Sequence, residues 1–178
     1  MFREIPVLPV VVPAASAVFV ILLWHLYRRD RLSAPRAAVA LVLCVYAAGV
    51  VANTVFPIFL DLPASNQPWD ASLWLTPLKG YEVADAVMNI LVFVPLGVLV
   101  PLLLSRPSWW RVLAAAAGFS LLIEVSQLVT AHLLGGGHVA DVNDLVFNVL
   151  GGLLGHGLLT LLLRVPGAPA LVDRFRWR

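Results

Sequence analysis

Four stretches of this chain, residues 5–27, 37–60, 86–105 and 145–163, contain no Asp, Glu, Lys or Arg. A fifth, residues 112–133, is interrupted only by Glu124. Each is close to the roughly 20 residues that a helix needs to cross a hydrocarbon core about 30 Å thick. Lipid offers the backbone no hydrogen bonds, so such a run satisfies its own N–H and C=O groups as a helix. The five runs predict an all-α, polytopic membrane bundle of five transmembrane helices. Composition agrees: charged residues are 12% of the chain, about half the share of a soluble domain.

The first run is followed by Tyr27-Arg28-Arg29-Asp30-Arg31. A secretory signal has its positive charges before the apolar run and a small-residue cleavage site after it. The reverse order here reads as an anchor that stops at the cytoplasmic face. Orientation follows from the Lys and Arg residues on alternate connections. Arg28, Arg29, Arg31, Arg36, Arg106, Arg111, Arg164, Arg174, Arg176 and Arg178 fall on one side, and Arg3 and Lys79 on the other. The N-terminus is expected outside and the C-terminus in the cytoplasm. These arginines are topology signals that also suit anionic inner-leaflet lipids. The expected partner is the bilayer, with no nucleic acid. The single Cys44 lies in the second run and reads as an inert thiol.

Two external connections differ from the rest. Residues 61–82 form the longest, with Pro63, Pro68, Pro77, Trp69 and Trp74. Its tryptophans suit an interfacial anchor, or a lid over an external pocket. Residues 132–140 contain Gly135-Gly136-Gly137 and are expected to be flexible. Trp109-Trp110-Arg111 and Phe175-Arg176-Trp177-Arg178 read as interfacial belts on the cytoplasmic side. Pro95 falls mid-helix, where it frees the Leu91 carbonyl and suits a packing kink. No internal repeat is visible.

With this topology, polar residues on three helices meet at one depth. The third helix runs inward, so Asp85 is at its outer end and Asn89 sits one turn deeper on the same face. The fourth runs outward, and Ser120, Glu124 and Gln127 line one face of its outer half. The fifth runs inward again, with Asp141 and Asp144 at its entrance and Asn148 one turn below Asp144. Taken singly, Asn89, Gln127 and Asn148 also suit interhelical hydrogen bonding, worth roughly 0.6–2 kcal/mol each. Asp141 and Asp144 also suit the capping of a helix N-terminus. Glu124 is harder to place. A carboxyl group near mid-depth must be protonated, paired or wetted. No Lys or Arg shares its span, and only His132 and His138 could approach from the loop. Ionisable groups at membrane depth are costly and mark function by default, so Glu124 is the candidate catalytic residue if a reaction occurs. Asp85, Asn89, Glu124, Gln127, Asp141, Asp144 and Asn148 are the expected ligand-binding set. Gly151, Gly152 and Gly155 form a small-residue surface, with G-x-x-x-G spacing between Gly151 and Gly155, suited to close packing on the third or fourth helix.

The chain resembles the VanZ-like family of bacterial integral membrane proteins. The resemblance rests on Asn53-Thr54-Val55-Phe56-Pro57-Ile58, on Leu75-Thr76-Pro77-Leu78-Lys79, and on the run from Asn89 through Pro95 to Gly97. It rests also on Ile123-Glu124-Val125-Ser126-Gln127 followed by residues 141–155. These blocks cover residues 45–163 and leave the first helix outside. His138 stands where the family commonly has Arg, and Asn143 where it often has Asp. The resemblance implies a multi-pass protein of the bacterial cell membrane with a cell-envelope role, tied by the family's name to teicoplanin-type glycopeptide resistance.

Residues 1–36 are therefore read as a first helix with an arginine-rich loop, 37–163 as a VanZ-like four-helix domain, and 164–178 as a basic-aromatic tail. The leading expectation is a protein that binds a lipid-linked or amphipathic ligand, such as a lipid-linked cell-wall precursor, from the outer leaflet. The alternative is an intramembrane enzyme acting on a lipid or cell-wall precursor through Glu124 and Asp141/Asp144. No cofactor is implied. The acidic motif lacks the glycine and distal glutamate of an EF-hand loop, and neither zinc-type spacing nor a nucleophile elbow occurs. Asp141, Asp144 and His138 remain weak metal candidates. Five helices without a repeat are unlike the usual repeat-built transporter.

Overall fold

The computed structural model describes residues 3–61, 66–134 and 139–178. Among the described residues five helices are long and apolar enough to cross a membrane: α1 (Val7–Arg28), α2 (Ala34–Thr54), α3 (Val83–Leu103), α4 (Trp109–Leu133) and α5 (Val142–Leu162). A short α6 (Ala168–Asp173) follows. The chain is a multi-pass membrane protein. Its outward faces carry apolar side chains such as Leu121, Leu122 and Val125 of α4, all exposed, while the buried face of α4 carries Ser120, Glu124, Gln127 and Thr130. That inversion of the soluble pattern suits a helix whose solvent is lipid.

The helix ends follow local chemistry. The uncharged run 37–60 is longer than its helix. Pro57 disfavours α geometry at the residue before it, and α2 stops at Thr54. Ile58 to Leu60 continue as extended chain: the Ile5 N–H donates to the Ile58 carbonyl at 2.9 Å and the Leu60 N–H to the Arg3 carbonyl at 3.1 Å. This ties the start of the chain to the end of α2.

α3 and α5 form the closest pair, because glycine removes the side chains between them. A Cβ on Gly151 would meet the Ile90 carbonyl, one on Gly155 the Val94 carbonyl, and one on Gly97 the Gly152 carbonyl. A Cβ on Gly152 would press on the Ala116 side chain of α4. α5 is thus wedged between α3 and α4, which leaves its polar residues facing both. A core of Val50, Phe93, Leu96, Val112, Ala116 and Ile123 fills the bundle beside it. α1 packs chiefly on α2, and of its side chains only Val11 and Leu26 are buried.

One end of the bundle gathers the α2–α3 and α4–α5 connections. They are joined by a two-residue parallel ladder, β1 (Leu73–Trp74) with β2 (Ala140–Asp141). The 3-10 turn Trp69–Ser72 precedes β1, and the Trp69 ring stacks on His132 at 3.8 Å between centroids. The long loop is therefore folded onto the end of α4 as well as carrying tryptophans. The glycine run 135–137 and His138 lie outside the described residues.

The opposite, arginine-rich end is closed by the tail. The Trp177 N–H donates to the Leu102 carbonyl at 3.0 Å, and its indole N–H to the Arg36 carbonyl at 3.3 Å. Arg36 and Arg31 donate in turn to the carbonyls of Arg176 and Trp177. Phe175 and Trp177 pack beside Val39, Leu99, Leu102 and Leu159. The aromatic tail, read from sequence as an interfacial belt, docks between the start of α2 and the end of α3. Its rings thereby cover apolar surface that would otherwise meet the headgroup layer.

Candidate functional site

A cavity of about 530 Å³ opens between α2 on one side and α3, α4 and α5 on the other. Its polar lining comes from four helices. Asn89 lies on α3, Glu124 and Gln127 on α4, and Asp144 and Asn148 on α5. Tyr46, Asn53 and Thr54 of α2 complete it. The set is produced by helical spacing: Glu124 to Gln127, Asp144 to Asn148 and Tyr46 to Asn53 are steps of three, four and seven residues, each returning to one face. Among the described lining residues none is Lys, Arg or His.

Hydrogen bonds knit this lining across the bundle. The Asn89 amide donates to Asp144 Oδ1 at 2.6 Å, joining α3 to α5. The Asn148 amide donates to Ser120 Oγ at 2.9 Å, joining α5 to α4 where Ser120 is fully buried. The backbone N–H of Asp141 donates to Glu124 Oε2 at 2.8 Å. Hydrogen bonds to charged groups contribute roughly 1.5–3 kcal/mol, which offsets part of the cost of a carboxyl group at membrane depth. The His132 ring is stacked on Trp69, and His132 is not among the lining residues.

The two aspartates of the acidic motif have separate tasks. Asp141 is the N-cap of α5, its Oδ1 accepting the Asn143 N–H at 2.8 Å. Such a cap contributes about 0.5–2 kcal/mol. Asp144 faces the cavity and pairs with Asn89. Asp85 is exposed near the start of α3 and is not among the lining residues. Among the described residues no three His, Cys, Asp or Glu side chains come together as a metal-ligating group.

Asn143 has a role the sequence did not disclose. It is fully buried, and its Oδ1 accepts the Leu78 N–H at 2.5 Å while its Nδ2 donates to the Lys79 carbonyl at 3.3 Å. An amide can donate and accept at once, whereas an ionised carboxylate only accepts. Asn143 thereby staples the long loop to the start of α5, beside the cap made by Asp141. Tyr46, Asn53 and Thr54 were missed as well. The signal was present in the seven-residue step from Tyr46 to Asn53, which places an aromatic hydroxyl and an amide on one face of α2.

The cavity has an apolar mouth. Val45 of α2 and Met88 of α3 both line it and are 63% and 58% exposed, and Gly49 and Val92 lie beside them, also exposed. All four belong to spans, so the mouth between α2 and α3 faces the lipid phase sideways. Inside, the amide oxygens of Gln127 and Asn148 and the Tyr46 hydroxyl are buried without a partner among the described residues. Unpaired buried polar groups cost roughly 1–3 kcal/mol each. A polar interior reached through an apolar doorway is suited to a molecule with a polar head and an apolar body.

A family model described as VanZ/LLP1 matches residues 10–163. The match takes in most of α1, which the motif blocks alone left out. No curated protein and no solved structure matches the chain.

Proposed function

The chain belongs to the VanZ/LLP1 family, and from that premise we propose that it is a cell-envelope protein of the bacterial cell membrane that binds a lipid-linked or amphipathic ligand. The ligand enters sideways from the outer leaflet, its head group in the polar cavity and its apolar part at the mouth between α2 and α3. Binding affects susceptibility to teicoplanin-type glycopeptides, as the family's name implies. The observation that carries this reading is the polar cavity with its lateral apolar mouth. Its volume lies within the roughly 300–1,000 Å³ of small-molecule sites.

The outer-leaflet assignment rests on the arginine distribution. Every Arg of the α1–α2 and α3–α4 connections and of the tail lies at the end opposite the ladder. The positive-inside rule puts that end in the cytoplasm. Asp144 and Asn89, at the starts of α5 and α3, then lie in the outer half. A second reading, an intramembrane enzyme, draws on the presence of two carboxyl groups, Glu124 and Asp144, on one cavity. It assigns Glu124 as a general acid or base toward a lipid or cell-wall precursor.

A plug tests the binding reading without touching any polar group. A Cβ on Gly49 would meet nothing within 4 Å, so Gly49→Trp is expected to fold with its indole filling the mouth. Native mass spectrometry of the protein released from membranes should show a retained amphipath on the wild type. The plugged variant should lose most of it, about tenfold or more, at unchanged abundance. Equal retention by both proteins would count against the cavity as the site.

A further inference from the structure

The hydrogen-bonding groups of the cavity are unbalanced in one direction. Most amide and hydroxyl donors of its wall are committed, the exceptions among the described residues being the Tyr46 hydroxyl and the Gln127 amide N–H groups. Asn89 Nδ2 is spent on Asp144 and Asn148 Nδ2 on Ser120. Asn53 Nδ2 and Thr54 Oγ1 are spent on the carbonyls of Gly49 and Val50 in their own helix. The acceptors are not. Glu124 and Asp144 each accept through one carboxyl oxygen. Gln127, 7% exposed, and Asn148, 4% exposed, each hold a buried amide oxygen with no partner among the described residues. Among the described residues no Lys, Arg or His lines the cavity to balance two carboxyl groups.

This imbalance sorts head groups by chemistry. A phosphate or carboxylate head would bring further acceptors against two carboxyl groups, with no cation to meet it. A trimethylated ammonium would bring positive charge but no N–H to donate, and among the described lining residues Tyr46 and Phe93 are the only aromatic rings, short of an aromatic cage. A primary ammonium brings both. It supplies three donors and the positive charge that no described lining residue supplies. Pairing a buried carboxylate with such a partner relieves the desolvation that makes an isolated one costly.

We infer that the head group taken by this cavity is a primary ammonium carried on an amphipathic lipid, held by Glu124 and Asp144 with the Gln127 and Asn148 amides beside them. The inference rests on the cavity being an amphipath site, as proposed above, and deepens it by naming the head. The chains would lie along Met88 and Val92 at the mouth.

The test is lipid titration of the full chain, purified in detergent and read by native mass spectrometry. The probes are phosphatidylethanolamine, phosphatidylcholine and phosphatidylglycerol of identical chains, with chainless glycerophosphoethanolamine as a fourth. The expected result is phosphatidylethanolamine bound about tenfold or more tightly than the other two lipids, the scale of one charge-assisted hydrogen bond. Asp144→Asn should bring its affinity down toward that of phosphatidylcholine. The comparison among lipids on the unaltered chain holds even if that variant folds poorly. Equal binding of the three lipids, or a preference for phosphatidylglycerol, would overturn the ammonium assignment while Gly49→Trp sensitivity left the amphipath reading standing. Chainless head group binding as tightly as the lipid would overturn the lipid part. Lipid binding indifferent to Gly49→Trp would overturn the amphipath reading itself.

Discussion

Glu124→Gln is expected to reach the membrane at wild-type abundance and yet lose the envelope phenotype. The substitution keeps shape and keeps an oxygen to accept the Asp141 N–H, a bond of 2.8 Å in the native chain. What it removes is the charge and the titratable proton. Glu124→Leu removes the acceptor too, leaving the Asp141 N–H without a partner at a cost of roughly 1–3 kcal/mol. It should therefore lower both abundance and thermal stability, and lose the phenotype with them. The measurement is glycopeptide susceptibility of a complemented deletion strain, with immunoblotting of membranes to normalise for amount. Full complementation by Glu124→Gln would reduce Glu124 to an interhelical hydrogen-bond acceptor and remove the carboxyl group from the functional account.

Gly155→Leu is expected to prevent assembly of the bundle. A Cβ at this position would meet the Val94 carbonyl, which belongs to backbone and cannot rotate away as a side chain would. Overpacking in a well-filled core costs about 1–3 kcal/mol when side chains can shift, and more is expected where a whole helix must move. α3 would separate from α5, breaking the Asn89–Asp144 bond with it. Gly118 supplies the contrast, since a Cβ there would meet nothing within 4 Å. Gly118→Ala should hold its stability or gain roughly 0.5–1 kcal/mol from helix propensity. Thermal unfolding in detergent reads both. A Gly155→Leu protein as stable as the wild type would mean that α3 and α5 do not pack backbone to backbone.

The spans were legible because charge-free length is a direct consequence of bilayer thickness. Their ends were less so. The run 37–60 carries no charge, but Pro57 decides that α2 stops at Thr54, and hydropathy is blind to that constraint. The shared position of Asn89, Glu124, Gln127, Asp144 and Asn148 could be read from helical spacing once the helices alternated in direction. The tasks of Asp141 and Asp144 could not be told apart. Both are short acidic side chains in the first turn, and which one caps depends on the extended backbone at Asp141 (φ −123°, ψ 125°). Asp85 shares a helical spacing with Asn89, yet it sits at the exposed start of α3, outside the cavity, where periodicity no longer decides burial. The docking of Trp177 was hidden for a different reason. A basic-aromatic tail suits the headgroup layer and a groove between helices equally, and only the Leu102 and Arg36 carbonyls select the groove.

The most direct measurement is photolabelling from one leaflet. A phospholipid with a diazirine near its head group, delivered only to the outer leaflet of spheroplasts, should form adducts at Val45, Gly49, Met88 and Val92, the mouth of the cavity. Gly49→Trp should abolish them while leaving scattered labelling of the lipid-facing side of α1. Adducts spread evenly over α1 and the outer faces with none at the mouth would contradict a lateral amphipath site. So would mouth adducts that form only when the probe is confined to the inner leaflet.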